Sequence, residues 1–219
     1  MEEIHVFKVV GKSPLLMGNP EYMIEGASGK GTSSKQSGKP KQSDAEKLVY
    51  QMRSGQLYAP STWFRGCLMG KKGGATSQRI QGASAPGVLM GSVFTVEHEC
   101  PLFDPETEEP ITKWEVYPRV ANNESKGRIV VWSPKVWPWA CLVSLEVDRD
   151  ILGNINDLLA IFRRAGKVAG VGVWRVNKMG EFGRFEVQPY GHTAAACEAE
   201  AGRKTAPAIN EEQDDDEDG

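Results

Sequence analysis

Two Gly-Lys pairs are the first places where residue types and spacing suggest chemistry. In GASGKGTS (26–33) Gly26 and Gly29 precede Lys30, and in GCLMGKK (66–72) Gly66 and Gly70 precede Lys71. A nucleotide-hydrolysing phosphate loop needs four residues between its glycines and a Ser or Thr after the lysine to hold magnesium. The first segment has two intervening residues and Gly31 at the magnesium position, and the second has three and Lys72. Nucleotide hydrolysis is not expected, yet these glycines free backbone amides, and the lysines supply charge, for phosphate contacts without hydrolysis. His98 and Cys100 are close enough to share a metal, but the three His and four Cys offer no second pair to complete a tetrahedral site. Spacing suggests no Ser-His-Asp or Cys-His set, and Glu108-Glu109 sits in an acidic turn that reads as solvated. No catalytic residue, metal or cofactor is expected, and the chain reads as a binding protein rather than an enzyme.

Charge says what it could bind. The 219 residues hold 26 Lys plus Arg against 29 Asp plus Glu, a net of −3. Seven of those acids lie in EEQDDDEDG (211–219), so the first 210 residues carry 26 bases against 22 acids, or +4. Between Gly26 and Val96 ten bases face only Asp44 and Glu46, and from Lys47 to Val96 there is no acid at all. A run of that length without Asp or Glu favours anions, and polyphosphate is the anion that suits it. The competing reading is a solvated basic face with no partner.

Aromatic residues beside cations and glycines sharpen the expectation. Single-stranded nucleic acid is held by aromatic faces on which bases stack and by cations that track the backbone. Trp174-Arg175 and Phe182 with Arg184 flank Gly-rich turns, where a side chain can be presented and a backbone approached closely. Trp63, Trp132, Trp137, Trp139 and Phe185 read as core instead, and Trp114 is open. The candidate nucleic-acid-binding set is Lys30, Lys35, Lys39, Lys41, Arg65, Lys71, Lys72, Arg79, Trp174, Arg175, Lys178, Phe182 and Arg184.

The elements that must position these residues follow from patterning. IHVFKVV (4–10) reads as a first core strand, and SPLLMGNP turns the chain. Residues 26–43, without a large apolar side chain, read as a mobile basic loop. A helix is expected over AEKLVYQMR (45–53), and a second from Pro60-Ser61 with Trp63, Phe64, Cys67 and Leu68 on one face. GVLMGSVFTVEHE (87–99) reads as a long strand, LFDPETEEPIT (102–112) as an acidic turn, and EVYPRV, RIVVWS and WACLVSLEVD as further strands. NINDLLAIFRRAGKVAG (154–170) is the clearest helix, with Ile155, Leu158, Leu159 and Phe162 on one face and basic residues at its carboxyl end. FGRFEVQ (182–188) closes the pattern. The order gives an α+β, ferredoxin-like (RRM-like) βαββαβ core with insertions as one domain over 1–189, and a disordered acidic tail over 190–219. The longest apolar stretches, 88–94 and 140–145, fall short of the ~20 residues of a membrane span, and MEEIHVFKVV lacks the pattern of a secretory signal. A cytoplasmic location and reduced, structural cysteines are expected.

LYAPSTWFRGCL (57–68), in which a strand ending in Pro leads into a helix with a basic residue before Gly, resembles the signature of the repeat-associated (RAMP) superfamily. GVGVWRVNKMGEFGRFEV (170–187) stands where that superfamily has a Gly-rich loop before its last strand. The chain also resembles small phage and prophage proteins through Pro14 to Met17, Gly170 to Arg175 and Gly183 to Phe185. The resemblance covers about a quarter of the chain. It implies a modified RNA-recognition fold that holds single-stranded RNA, as in the CRISPR effector backbone. The members that cut RNA carry an Asp after the first strand, and residues 11–43 contain none, so nuclease activity is not implied. The acidic tail is similar to those of phage and bacterial single-stranded DNA-binding proteins.

Together these observations predict a non-catalytic single-stranded nucleic-acid-binding protein of phage replication or recombination in a bacterial host cell. Single-stranded DNA is favoured over RNA, with a homo-oligomer or filament on the nucleic acid and replication or recombination proteins recruited by the tail. The alternatives are a RAMP backbone subunit binding guide RNA, and a phage structural or interaction protein that binds no nucleic acid.

Overall fold

The computed structural model describes residues 2–19, 45–122 and 128–192. Its strands are β1 (Glu2–Gly11), β2 (Leu15–Leu16), β3 (Tyr58–Pro60), β4 (Arg79–Ile80), β5 (Ala83–Ser84), β6 (Val93–Thr95), β7 (Glu99–Pro101), β8 (Glu115–Asn122), β9 (Arg128–Val136), β10 (Ala140–Asp148) and β11 (Phe185–His192). The α-helices are α1 (Ser61–Met69), α2 (Ala85–Ser92), α3 (Arg149–Leu152) and α4 (Ile155–Val168), with one 3-10 turn at Val176–Lys178. The architecture is α+β with antiparallel sheets.

The principal sheet has the order β11-β1-β10-β6, and every neighbouring pair is antiparallel. The passage from β1 to β6 contains α1 and α2, and that from β10 to β11 contains α3 and α4. Period-two alternation sends Phe7 and Val9 of β1, Cys141, Val143, Leu145 and Val147 of β10, and Phe185 and Val187 of β11 into the core beneath the helices. Phe64 of α1, Phe162 of α4 and Phe185 meet edge to face at centroid distances of 5.7 to 6.4 Å, and Phe7 joins at 5.6 Å. Truncating one such ring costs about 3–5 kcal/mol, so this cluster fixes α1 and α4 on the sheet. Asn154 caps α4 as its pattern predicts, its Oδ1 accepting from the Asn156 amide at 2.9 Å.

A second sheet, β2-β9-β8, stands beside the first. Its joint is Trp139, fully buried, whose ring lies where any side chain at Gly11 would have to go and whose Nε1 donates to the Ser13 carbonyl at 2.9 Å.

Several expectations are corrected. The helix over 45–53 does not form beyond a helical turn at Ala45 and Glu46; Gln51 is bridged to Leu57 instead. Packing outweighs propensity there, because the buried Tyr50 ring meets Tyr58 at 5.5 Å and Trp63 at 5.2 Å. The long strand over 87–99 is replaced by α2, followed by the short β6. Pro86 starts α2, and Ala85, Leu89 and Ser92 fall on its buried face, a helical spacing hidden in a continuous apolar run. Trp137 is not core but 51% exposed. β11 runs three residues past Pro189, where disorder was expected, and the rest of the tail lies outside the described residues, as does the basic loop 26–43. Cys67, Cys100 and Cys141 are buried free thiols. Among the described residues no helix is long and apolar enough to cross a membrane.

Candidate nucleic-acid interface

The Pro14–Met17 segment and the Gly-rich stretch, 150 residues apart in sequence, are hydrogen-bonded to each other. The Gly183 amide donates to the Pro14 carbonyl at 2.8 Å, the Val173 amide to Leu16 at 3.0 Å, and the Lys12 amide to Arg184 at 2.7 Å. The Arg184 amide in turn donates to Ser13 Oγ at 3.0 Å. Two glycines are indispensable to this contact. Gly172 (φ 78°) and Gly183 (φ 65°) lie in the left-handed region, and a Cβ at either would collide with the carbonyl of Leu16 or of Val171. The glycine spacing thus has a structural cause of its own, the close approach of two backbones.

This turn carries its side chains outward in a defined order. Trp174, half-buried and itself left-handed at φ 54°, lies parallel to Phe182 with centroids 6.3 Å apart. Phe182 is only 7% exposed and meets Tyr117 of β8 edge-on at 5.2 Å. The expectation that Phe182 is an exposed platform is therefore corrected: it is the middle ring of a three-ring stack, and Trp174 is its outer member on the turn. Arg175 donates from Nη1 to the Gly172 carbonyl at 2.8 Å. Its charge also reaches Cys67 in α1: burial pushes that thiol up, and the Arg175 guanidinium opposes the rise. After α1 the chain passes through Gly70 to Lys71 and Lys72.

Lys71, Lys72, Lys178 and Arg184 are exposed and make no ion pair among the described residues. The acid-free composition of 47–96 explains this for the first two. The loop after Lys72 is fastened to α4 by Arg164, whose Nη1 donates to the carbonyls of Gly74 at 2.6 Å and Thr76 at 2.9 Å. The chain matches no protein-family model and no curated protein. The site therefore rests on its own geometry.

Other expected members lie apart or outside the described residues. Arg65 sits over the Phe94 ring at 5.6 Å and holds a buried Nε without a partner. Arg79 belongs to the β4–β5 hairpin, where its Nη1 closes the turn onto the Gly82 carbonyl at 2.7 Å. Lys30, Lys35, Lys39 and Lys41 lie outside the described residues.

The face of the principal sheet turned away from the helices is a poor polyanion surface. It carries Ile4, Val6, Lys8 and Val10 of β1 beside Glu146, Ser144, Leu142 and Ala140 of β10, with no aromatic ring on this face of either central strand. The acidic turn reaches onto it, Glu108 pairing with Lys8 at 2.9 Å while the same ammonium stands 5.4 Å from the Phe103 ring centre. Asp104 organises that turn, its carboxyl held below the usual range by hydrogen bonds from the Thr107 and Glu106 amides.

Sequence reasoning missed Arg119 of β8. Its Nε donates to the fully buried Ser133 Oγ at 3.0 Å, and burial pushes its pKa below the ordinary arginine value. EVYPRV gave only a strand pattern; the signal available was one Arg two positions from a Tyr, hence on the same strand face.

Proposed function

We propose that this protein binds single-stranded nucleic acid without catalysis, through the Gly-rich turn together with the lysines that follow α1. The observation that carries the proposal is the half-buried Trp174 presented on a backbone-locked turn that also bears Lys178 and Arg184, neither of them in an ion pair among the described residues. An aromatic face with surrounding unneutralised cations is the combination that sequence-tolerant single-strand binding needs. We read the β11-β1-β10-β6 sheet with its two helix-bearing passages as a ferredoxin-like, RRM-type core, which the strand order supports. The protein uses that core differently from an RRM, whose stacking aromatics stand on the sheet. Single-stranded DNA in phage replication or recombination is the favoured ligand and setting. The second reading, a RAMP-type subunit holding guide RNA, draws support from the contact between the Pro14–Met17 and Gly-rich segments that carry the resemblance.

The test is direct titration of labelled single-stranded DNA, single-stranded RNA and duplex with the full chain at low and moderate salt. Preference for a single strand, with affinity falling steeply with salt, is expected. Binding to neither single strand would overturn the proposal, and a strong preference for RNA would move the protein to the second reading.

A further inference from the structure

Arg119 is half-buried and has no matching anion among the described residues. β8 pairs Tyr117 with Ser133, and strand alternation puts Arg119 on the same face as Tyr117. Among the described residues its one hydrogen bond is from Nε to Ser133, and no carboxylate lies within ion-pair distance. The four N–H groups of its two terminal nitrogens have no protein acceptor and are not sealed from solvent, so they are open to a ligand. A guanidinium whose inner edge is fixed and whose outer edge is open and unneutralised is arranged to take an anion. The neighbours show what kind of anion fits, because Tyr117 touches Phe182, which lies parallel to Trp174.

We propose that Arg119 binds a backbone phosphate of the single strand whose base stacks at Trp174, extending the interface from the Gly-rich turn onto the β8–β9 hairpin. The inference rests on the single-strand reading above and adds a residue and a contact to it. A guanidinium's planar fork matches two phosphate oxygens, a geometry that an ammonium cannot reproduce. The Ser133 bond holds one edge of the fork, so the other edge is oriented before the ligand arrives. The same hairpin face carries Glu115 and Lys135, paired with each other at 2.7 Å, so that the nearby carboxylate is already neutralised.

The test is Arg119→Met, which keeps the length of the side chain and removes its charge. A residue held in place for a ligand more than for the fold gives a divided result. The urea midpoint of the free protein should fall by no more than the lost Ser133 bond accounts for, while affinity for labelled oligothymidylate at low salt falls about tenfold and the salt slope flattens by about 0.7. A lowered midpoint with unchanged affinity per folded molecule would overturn the inference and make Arg119 a structural tie to Ser133. If both quantities fall, Arg119→Lys decides: recovery of the salt slope supports phosphate contact, and no recovery overturns it. Wild-type protein that binds no single strand would overturn the parent reading and this contact together, whereas normal wild-type binding with an indifferent Arg119→Met removes this contact alone.

Discussion

Replacing Trp174 by Ala and, separately, by Gly divides the ring's role from the backbone's. The ring is half-buried and stacked on Phe182 with an interplanar angle of 6°. Full truncation of a buried Trp costs about 3–5 kcal/mol, and half of that, roughly 2 kcal/mol, is the expected loss for Trp174→Ala. The backbone at φ 54° adds a second effect. An L side chain there is strained by about 1–2 kcal/mol, which Ala retains and Gly releases. Gly returns about 0.5–1 kcal/mol of that through its freer unfolded chain, so Trp174→Gly should be the more stable variant by roughly 0.5–1 kcal/mol. Both lack the ring, so both should lose the same binding energy, about 1–3 kcal/mol for one stacked base. Urea midpoints measure the first difference, and fluorescence anisotropy with labelled oligothymidylate measures the second. Affinity equal to wild type in both variants, per folded molecule, would refute the assignment of Trp174 to the interface.

Three further outcomes are expected. Lys71→Ala with Lys72→Ala should flatten the dependence of log affinity on log salt by about 1.4, at 0.7 per lost phosphate contact, and an unchanged slope removes both lysines from the site. Deleting residues 211–219 changes the net charge from −3 to +4 and should raise single-strand affinity several-fold at low salt, with the gain fading as salt is added; no change at low salt would show that the tail does not compete for the basic surface. Cys100, whose thiol burial pushes up from 9.0 to about 12, stays protonated in the folded protein where the unfolded chain has lost that proton. Its contribution to stability is therefore full below pH 9 and lost as pH rises toward 12, by about 1.4 kcal/mol per pH unit, and Cys100→Ala should flatten that decline in alkaline urea unfolding.

What could be read in advance was decided by whether local pattern and tertiary demand agreed. They agree in α4, where the apolar face, the Asn154 cap and the basic carboxyl end point to one answer, and in β1 and β10, whose alternation matches their burial. They disagree at Tyr50, where a locally good helix is given up for an aromatic pocket, and at 87–92, where an unbroken apolar run fits helix and strand equally well. The candidate interface was legible in its parts. Glycines at 172 and 183 and the unopposed lysines at 71 and 72 could be picked out, because conformational freedom and absent counter-charge are local properties. Arg119 could not, since its significance lies in the Ser133 bond that fixes it and in the absence of a carboxylate beside it. The burial of Phe182 was hidden for the same reason, as the Tyr that covers it comes from a strand 65 residues earlier in the chain.

The two-residue strand β2 has hydrogen bonds on both sides, to β9 through Leu15 and Leu16 and to the Gly-rich turn through the carbonyls of Pro14 and Leu16. It is a shared rail rather than an edge. The hairpin and the turn are anchored to the same short segment, so their amides should open to exchange as one cooperative unit, not as two independently fluctuating arms. Freezing a strand against one of them would then quiet both, and the rigidity felt at Trp174 would be transmitted to Arg119 through a segment that touches no ligand itself.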